Sequence, residues 1–317
     1  MTVTFRSNWS QKATFALLSA ASVAALGIGV GGVASAHARP ATHHVAAKKS
    51  GNAVFVAYAS HKPFGATVAA LKHAVAQNGM MVLGTLNQAG ALSTTGLHLK
   101  GAESFFIGNP VTGKSMFQMN AAVGTDVPVR VFVWVNAHSA TDVGYFQPSA
   151  LLRAVNPALV KSGMMLNQKL AMIVKSVARG PALPVPRVHG MAFEHRTSAR
   201  SFSATVAALK HAVAQNGMMV LGTLNQAGAL STTGLHLKGA ESFFVGNPVV
   251  GKSLFQMNPA VGGEVPMRVY VWVNAQGKTE LGYFQPSTLM GAISASLAKP
   301  GVMMNQKLAM IVKQAAQ

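Results

Sequence analysis

The chain has 317 residues, of which 50% are apolar and 10% charged, with no cysteine and 26 Lys plus Arg against 7 Asp plus Glu, a formal net charge of +19. The missing cysteine excludes disulfides and thiolate chemistry, while the apolar content is ample for one or two globular domains. The charge excludes an ordinary nucleic-acid binder, because it arises from a shortage of acids in a chain whose bases are thinly spread, with no basic stripe or patch. Charged residues usually make up about 25% of a chain. A protein with few carboxylates loses little stability when they protonate, so the composition points to an acidic extracytoplasmic compartment.

Arg6 and Lys12 precede an uncharged run from Ala13 to Ala36, the order of a secretory signal, with small-x-small cleavage sites after Ala36 and after Ala38. The run is long enough to span a bilayer as an uncleaved anchor, but its Ala, Gly and Ser content favours cleavage. Residues 1–38 are therefore expected to be a signal peptide and residues 39–52 a flexible lead-in. The mature chain is expected to be periplasmic or secreted, with no membrane segment.

Residues Ala66 to Phe106 recur letter for letter at Ala204 to Phe244, 138 residues further on, and the same offset continues to Lys175 and Lys313. This is a duplicated domain, with copies expected at 53–177 and 191–317. A Pro-rich linker at 178–190 joins them.

Within a copy, Ala53 to Ala59 reads as a strand, and Met191 to Thr197 as its weaker counterpart. Val68, Leu71 and Val75 give a helix with one apolar stripe, ended by Asn78-Gly79. Met80 to Asn87 and Ala102 to Asn109 read as strands. Val129, Val131, Val133 and Val135 alternate with Arg130, Phe132, Trp134 and Asn136, a strand with two different faces, and Val143 to Gln147 pairs with it as a hairpin. Helices close the copy around Pro148 to Leu159 and Asn167 to Val177. The order implies an α+β class of two tandem two-layer sandwiches, each a largely antiparallel sheet with helices on one face. The uncovered face, with Arg130, Phe132 and Trp134 (Arg268, Tyr270 and Trp272 in the second copy), is too apolar for water. It is expected to be buried by pairing of the two repeats or of two molecules, with a ligand cleft as the other reading.

The copies resemble the domain of unknown function 302 family. The resemblance lies in the run "TVAALKHAVAQNGMMV", the segment "GLHLKGAESFFIGNPVTGKSMFQ" and "VPVRVFVWVNA...VGYFQPSAL", and it covers about residues 52–175 and 190–313. It implies a compact α+β domain similar in topology to the repeats of the TATA-binding protein, with dimer formation, and no reaction. The family often has Asp-His where this chain has Asn87-Gln88 and Asn225-Gln226, and amides can only donate and accept hydrogen bonds.

Gly108 to Ser115 and Gly246 to Ser253 fit the phosphate-loop pattern G-x-x-x-x-G-K-[ST]. Pro110 and Pro248 each remove an amide donor, and the strands that should supply a magnesium-binding acid end in Asn136 and Asn274. The segment is instead expected to be a tight turn with Lys114 or Lys252 alongside, able to hold an oxyanion. A ligand site is expected where Asn87, Gln88, Asn109, Lys114 and Arg130 converge, with a second at Asn225, Gln226, Asn247, Lys252 and Arg268. The expected function is non-catalytic binding of a small anion or a protein partner, without a cofactor. The alternatives are a copper-handling protein, given 17 methionines and 11 histidines, and a nucleotide or small-molecule hydrolase. Glu103 and Glu241 read as surface carboxylates, and Asp126, Glu264, Asp142 and Glu280 fall in apparent turns.

Overall fold

The computed structural model describes residues 52–186, 188–190 and 193–317. The expected signal peptide and almost all of the lead-in lie outside the described residues. The first copy runs β1 (Asn52–Ala53), β2 (Phe55–Ser60), α1 (Phe64–Gln77), β3 (Met81–Asn87), α2 (Gln88–Ser93), β4 (Ala102–Gly108), α3 (Pro110–Met119), β5 (Val129–Val135), β6 (Thr141–Phe146), α4 (Pro148–Val155) and α5 (Val160–Ala178). The connecting segment contributes β7 (Arg179–Ala182) and β8 (Val188–His189). The second copy repeats the order as β9 (Phe193–Thr197), α6 (Phe202–Gln215), β10 (Met219–Asn225), α7 (Gln226–Ser231), β11 (Ala240–Gly246), α8 (Pro248–Met257), β12 (Met267–Val273), β13 (Thr279–Phe284), α9 (Pro286–Ile293) and α10 (Ala298–Ala316).

Each copy folds as an α+β sandwich on an antiparallel sheet, in the order β3-β4-β5-β6-β2-β7 in the first copy and β10-β11-β12-β13-β9 in the second. The sixth strand of the first sheet comes from the connecting segment, which pairs Arg179 with Ser60 and Ala182 with Tyr58. The pattern behind these elements is direct. Leu71, Ala74 and Val75 of α1 are buried, and Gly79, at φ +66°, turns the chain back where a side chain would be strained. Val129, Val131 and Val133 pack with Phe105 and Ile107 against Leu71 and Val75 of α1 and Leu170, Ile173 and Val174 of α5. The second copy builds the same core from Met267, Val269 and Val271 under α6 and α10.

Two further cores contain residues of both copies. One joins Phe55, Phe132 and Trp134 to Phe255, Val261 and Ile293; the other joins Phe117, Val123 and Leu152 to Leu230, Tyr270 and Trp272. The second sheet faces thus lie inside the molecule. Phe106 of β4 stacks on Phe244 of β11 with ring centroids 4.4 Å apart, and both rings are fully buried.

Close approach across this junction demands glycine at Gly124 and Gly262. A Cβ at Gly124 would overlap the ring of Tyr270, and one at Gly262 the ring of Phe132, and neither ring can retreat because both are fully buried. We predict that Gly124→Ala or Gly262→Ala destabilises the protein by about 1–3 kcal/mol through overpacking. Gly65→Ala in α1, where a Cβ meets nothing within 4 Å, should instead be neutral or stabilising by up to about 1 kcal/mol. Urea unfolding of the three variants measures both effects.

Candidate functional site

The residues expected to form a ligand site are not gathered in one place within a repeat. Register decides this, because Asn87 pairs with Glu103 at one end of the β3–β4 ladder while Met81 pairs with Gly108 at the other. Asn87 and Asn109 are therefore separated by the length of the strand, about 20 Å at the usual rise per residue. Arg130, opposite Phe106, sits toward the Asn109 end. The same holds for Asn225, Asn247 and Arg268 in the second copy.

The segment expected as a turn is the start of a helix. Asn109 is the N-cap of α3, its Oδ1 accepting from the amides of Val111 (2.8 Å) and Thr112 (3.3 Å), with Pro110 in the first turn. Its Nδ2 donates to Gly79 O at 2.7 Å. Asn247 does the same for α8 and Gly217. The amides that a phosphate loop would aim at its ligand are thus occupied by the chain's own cap, and Gly113, Lys114 and Ser115 lie in the helix. Asn87 and Asn225 likewise cap the short helices α2 and α7, accepting from Gly90 N and Gly228 N.

What the other expected residues reach is the opposite repeat. Gln88 Nε2 donates to Ser104 Oγ (2.6 Å) and to Gly262 O (3.2 Å), and Gln226 Nε2 to Ser242 Oγ (2.6 Å) and Gly124 O (3.2 Å). Lys114 Nζ donates to Thr233 O (3.0 Å) just beyond α7, and Lys252 Nζ to Thr95 O (3.1 Å) just beyond α2. Arg130 donates to Gly263 O (3.3 Å) and Pro266 O (2.7 Å), and Arg268 to Thr125 O (3.2 Å) and Pro128 O (2.9 Å). Every contact has its mate 138 residues on, the self-complementary pattern of a two-fold interface.

The two arginines bring the chemistry to the centre. Each guanidinium carbon lies 5.2–5.5 Å from the centroids of both Phe106 and Phe244, within cation–π range. Beside them is a cavity of about 40 Å³ lined by Asp126, Glu264, Arg130, Arg268 and Thr125 together with apolar side chains of both copies. Asp126 and Glu264 are buried, and Oδ2 of Asp126 has no hydrogen-bond partner. Burial pushes the Asp126 carboxyl up to about 7 against the pull of Arg268, and the Glu264 carboxyl up to about 8 against Arg130 and Arg268. Burial also lowers Arg130 to about 9 and Arg268 to about 10.

The two acids were not among the expected site residues. The signal was present in the sequence, since six of the chain's 7 acids form pairs at the 138-residue offset: Glu103 with Glu241, Asp126 with Glu264, and Asp142 with Glu280. A chain this poor in acids that keeps one before Val-Pro in both copies marks that position.

Other candidates are dispersed. Among the described residues no group of three or more His, Cys, Asp or Glu side chains is placed to hold a metal, and no helix is long and apolar enough to cross a membrane. Met80 and Met218 are buried, whereas Met81, Met119, Met164, Met165, Met172, Met219, Met257, Met303 and Met310 are exposed.

Two α+β sandwiches in tandem, with their central polar groups at the junction between them, define a duplicated-domain protein. The chain belongs to the family described as domain of unknown function DUF302, whose model matches residues 56–177 and 194–315. A solved structure described as an uncharacterized conserved protein DUF302 from Bacillus stearothermophilus is similar to it at 20% identity, covering 39% of this chain and 98% of that one with a TM-score of 0.37. No curated protein matches.

Asp126 and Glu264 hold protons in the folded state at pH values where the unfolded chain has released them, and burial moves Glu103, Asp142 and Glu241 the same way. Their contribution to stability therefore increases as pH falls from about 8 toward about 4. Glu280 runs the other way: despite its burial, its hydrogen bonds with His195 and Asn274 hold it low. The thermal midpoint is expected to be higher at pH 5 than at pH 8, measured in a buffer of fixed ionic strength; a lower midpoint at pH 5 would contradict it. Lys114→Ala with Lys252→Ala should cost about 1–3 kcal/mol per lost hydrogen bond from a charged donor in urea unfolding.

Proposed function

We propose that this is an exported, non-catalytic binding protein of an acidic periplasmic or extracellular environment, whose two repeats act as a built-in dimer and hold a small anion at the junction. One observation carries the reading: two guanidiniums from different repeats wall a single cavity in company with two buried carboxyls. Each guanidinium has five N–H donors, and two of them go to the carbonyls of the opposite repeat. The remainder, with the cationic charge, suit an anion better than a neutral or cationic ligand. Export rests on the signal pattern in residues 1–38, and the acidic setting on the scarcity of carboxylates and on the upward displacement of most of those present.

Native mass spectrometry of the mature protein from its own host, at pH 5 and without a metal-affinity tag, tests the reading. The expected result is an adduct of small anion mass that is lost in an Arg130→Gln variant shown to be folded; a bare chain bound to another protein would replace the anion with a protein partner. The same spectra give the N-terminus, expected at His37 or Arg39, and a chain retaining Met1 would remove export by cleavage. The exposed methionines support a second reading, binding of monovalent copper by thioethers, which a copper adduct in the same experiment would favour.

A further inference from the structure

We propose that the junction cavity is a proton-coupled site for a halide-sized monovalent anion, filled as Asp126 and Glu264 become protonated and emptied as they ionise. The proposal rests on the anion reading above and adds to it the class of ligand and the way its binding is controlled.

Size comes first. About 40 Å³ is space for roughly three waters at about 10–15 Å³ each, which suits a small monovalent anion and is too small to enclose a nucleotide.

Charge decides when such an ion can enter. The groups facing the cavity are Asp126 and Glu264, each from the turn before a Val-Pro step, Arg130 from β5 and Arg268 from β12, while β6, β13, α4 and α9 contribute Phe146, Phe284, Leu151 and Leu289. Tyr270, which also neighbours Arg268, is neutral and gives its O–H to Ala121 O. With both carboxylates ionised the four charges cancel, and an anion gains nothing by leaving water. Once both carboxyls are protonated, two buried positive charges remain beside a half-open cavity with apolar walls, where an uncompensated charge is costly.

Hydrogen bonding points the same way. An ionised Asp126 can only accept, and its buried Oδ2 accepts from nothing. A protonated carboxyl gains an O–H donor. The acid form of the cavity then presents carboxyl O–H groups alongside guanidinium N–H groups, a donor-lined wall that an anion satisfies. The neighbourhood of about 7 to about 8 in which burial places these two carboxyls puts the change between a mildly alkaline and a mildly acidic medium.

Bromide is the probe, used on the whole mature chain. Crystals soaked in sodium bromide at pH 5 and at pH 8 are expected to show an anomalous peak in the cavity at pH 5 only. In solution the thermal midpoint should rise with bromide, relative to gluconate at equal ionic strength, at pH 5 and not at pH 8. Asp126→Asn with Glu264→Gln, which fixes both groups neutral, should bind bromide at pH 8 roughly tenfold or more tightly than the parent does. The pH comparison on the parent chain needs no variant, so a misfolded double variant leaves the test intact. Equal bromide occupancy at the two pH values would overturn proton coupling while sparing the anion reading. An empty cavity at both, in a protein whose native mass still shows an anion adduct, would overturn this site and place the anion elsewhere; an empty cavity and a bare native mass would overturn both.

Discussion

The structure depends on covering the second face of each sheet. Helices α1 and α5 cover the valine face of the first sheet, but Phe106, Phe132 and Trp134 project from the other, and all three are buried. Their counterparts Phe244, Tyr270 and Trp272 are buried as well. Each such side chain contributes about 1.5–3 kcal/mol on leaving water, while a neutral clamp from Gln88 contributes about 1 kcal/mol net and a charged donor such as Lys114 or Arg130 about 1.5–3 kcal/mol. The aromatics and the clamps therefore contribute on the same scale, the first by burial and the second by directed hydrogen bonds. A slip of the interface by one residue would leave the clamps unpaired and drive the rings of Tyr270 and Phe132 into positions that carry a Cβ.

This division explains what could be read in the sequence. The period-two alternation of residues 129–136 shows directly which side chains share a face, so the burial of Phe132 and Trp134 follows from elementary patterning. The strands, the two long helices and the duplication were legible for the same reason. Helices α2 and α7 were not, because six residues are too few to display a helical period. The segment "GNPVTGKS" misled because Gly, Asn and Pro are turn formers, yet Asn at a cap followed by Pro in the first turn is also how a helix begins. Two meanings share one composition, and only the helix that follows separates them.

The predicted site was partly legible. Gln88, Lys114 and Arg130 do make specific polar contacts, but across the repeats, a relation that a single copy's sequence does not contain. Convergence of Asn87 with Asn109 was excluded by the antiparallel order itself, since the end of one strand must lie beside the start of the next. Asp126 and Glu264 read as turn acids in the sequence and fall outside the expected site, because a turn acid normally faces solvent. Burying them depends on the other repeat arriving over the turn.

Tandem fusion gives this interface a freedom that a homodimer lacks. In a two-fold dimer each residue at the axis is met by its own copy, so the cavity would be lined by identical pairs. Here Asp126 faces the position held by Glu264, Thr125 corresponds to Gly263, and Phe132 corresponds to Tyr270, whose hydroxyl donates to Ala121 O. These differences fall at the junction, although the identical 41-residue run also reaches it through Gln88, Ser104 and Phe106 and their copies. A covalent link also keeps the repeats at high effective concentration, so the halves can diverge at the axis without losing one another. The result is one asymmetric pair of carboxyls in place of two equivalent ones, and two equally buried acids with different charged neighbours, Arg268 for Asp126 and Arg130 with Arg268 for Glu264, need not release their protons at the same pH.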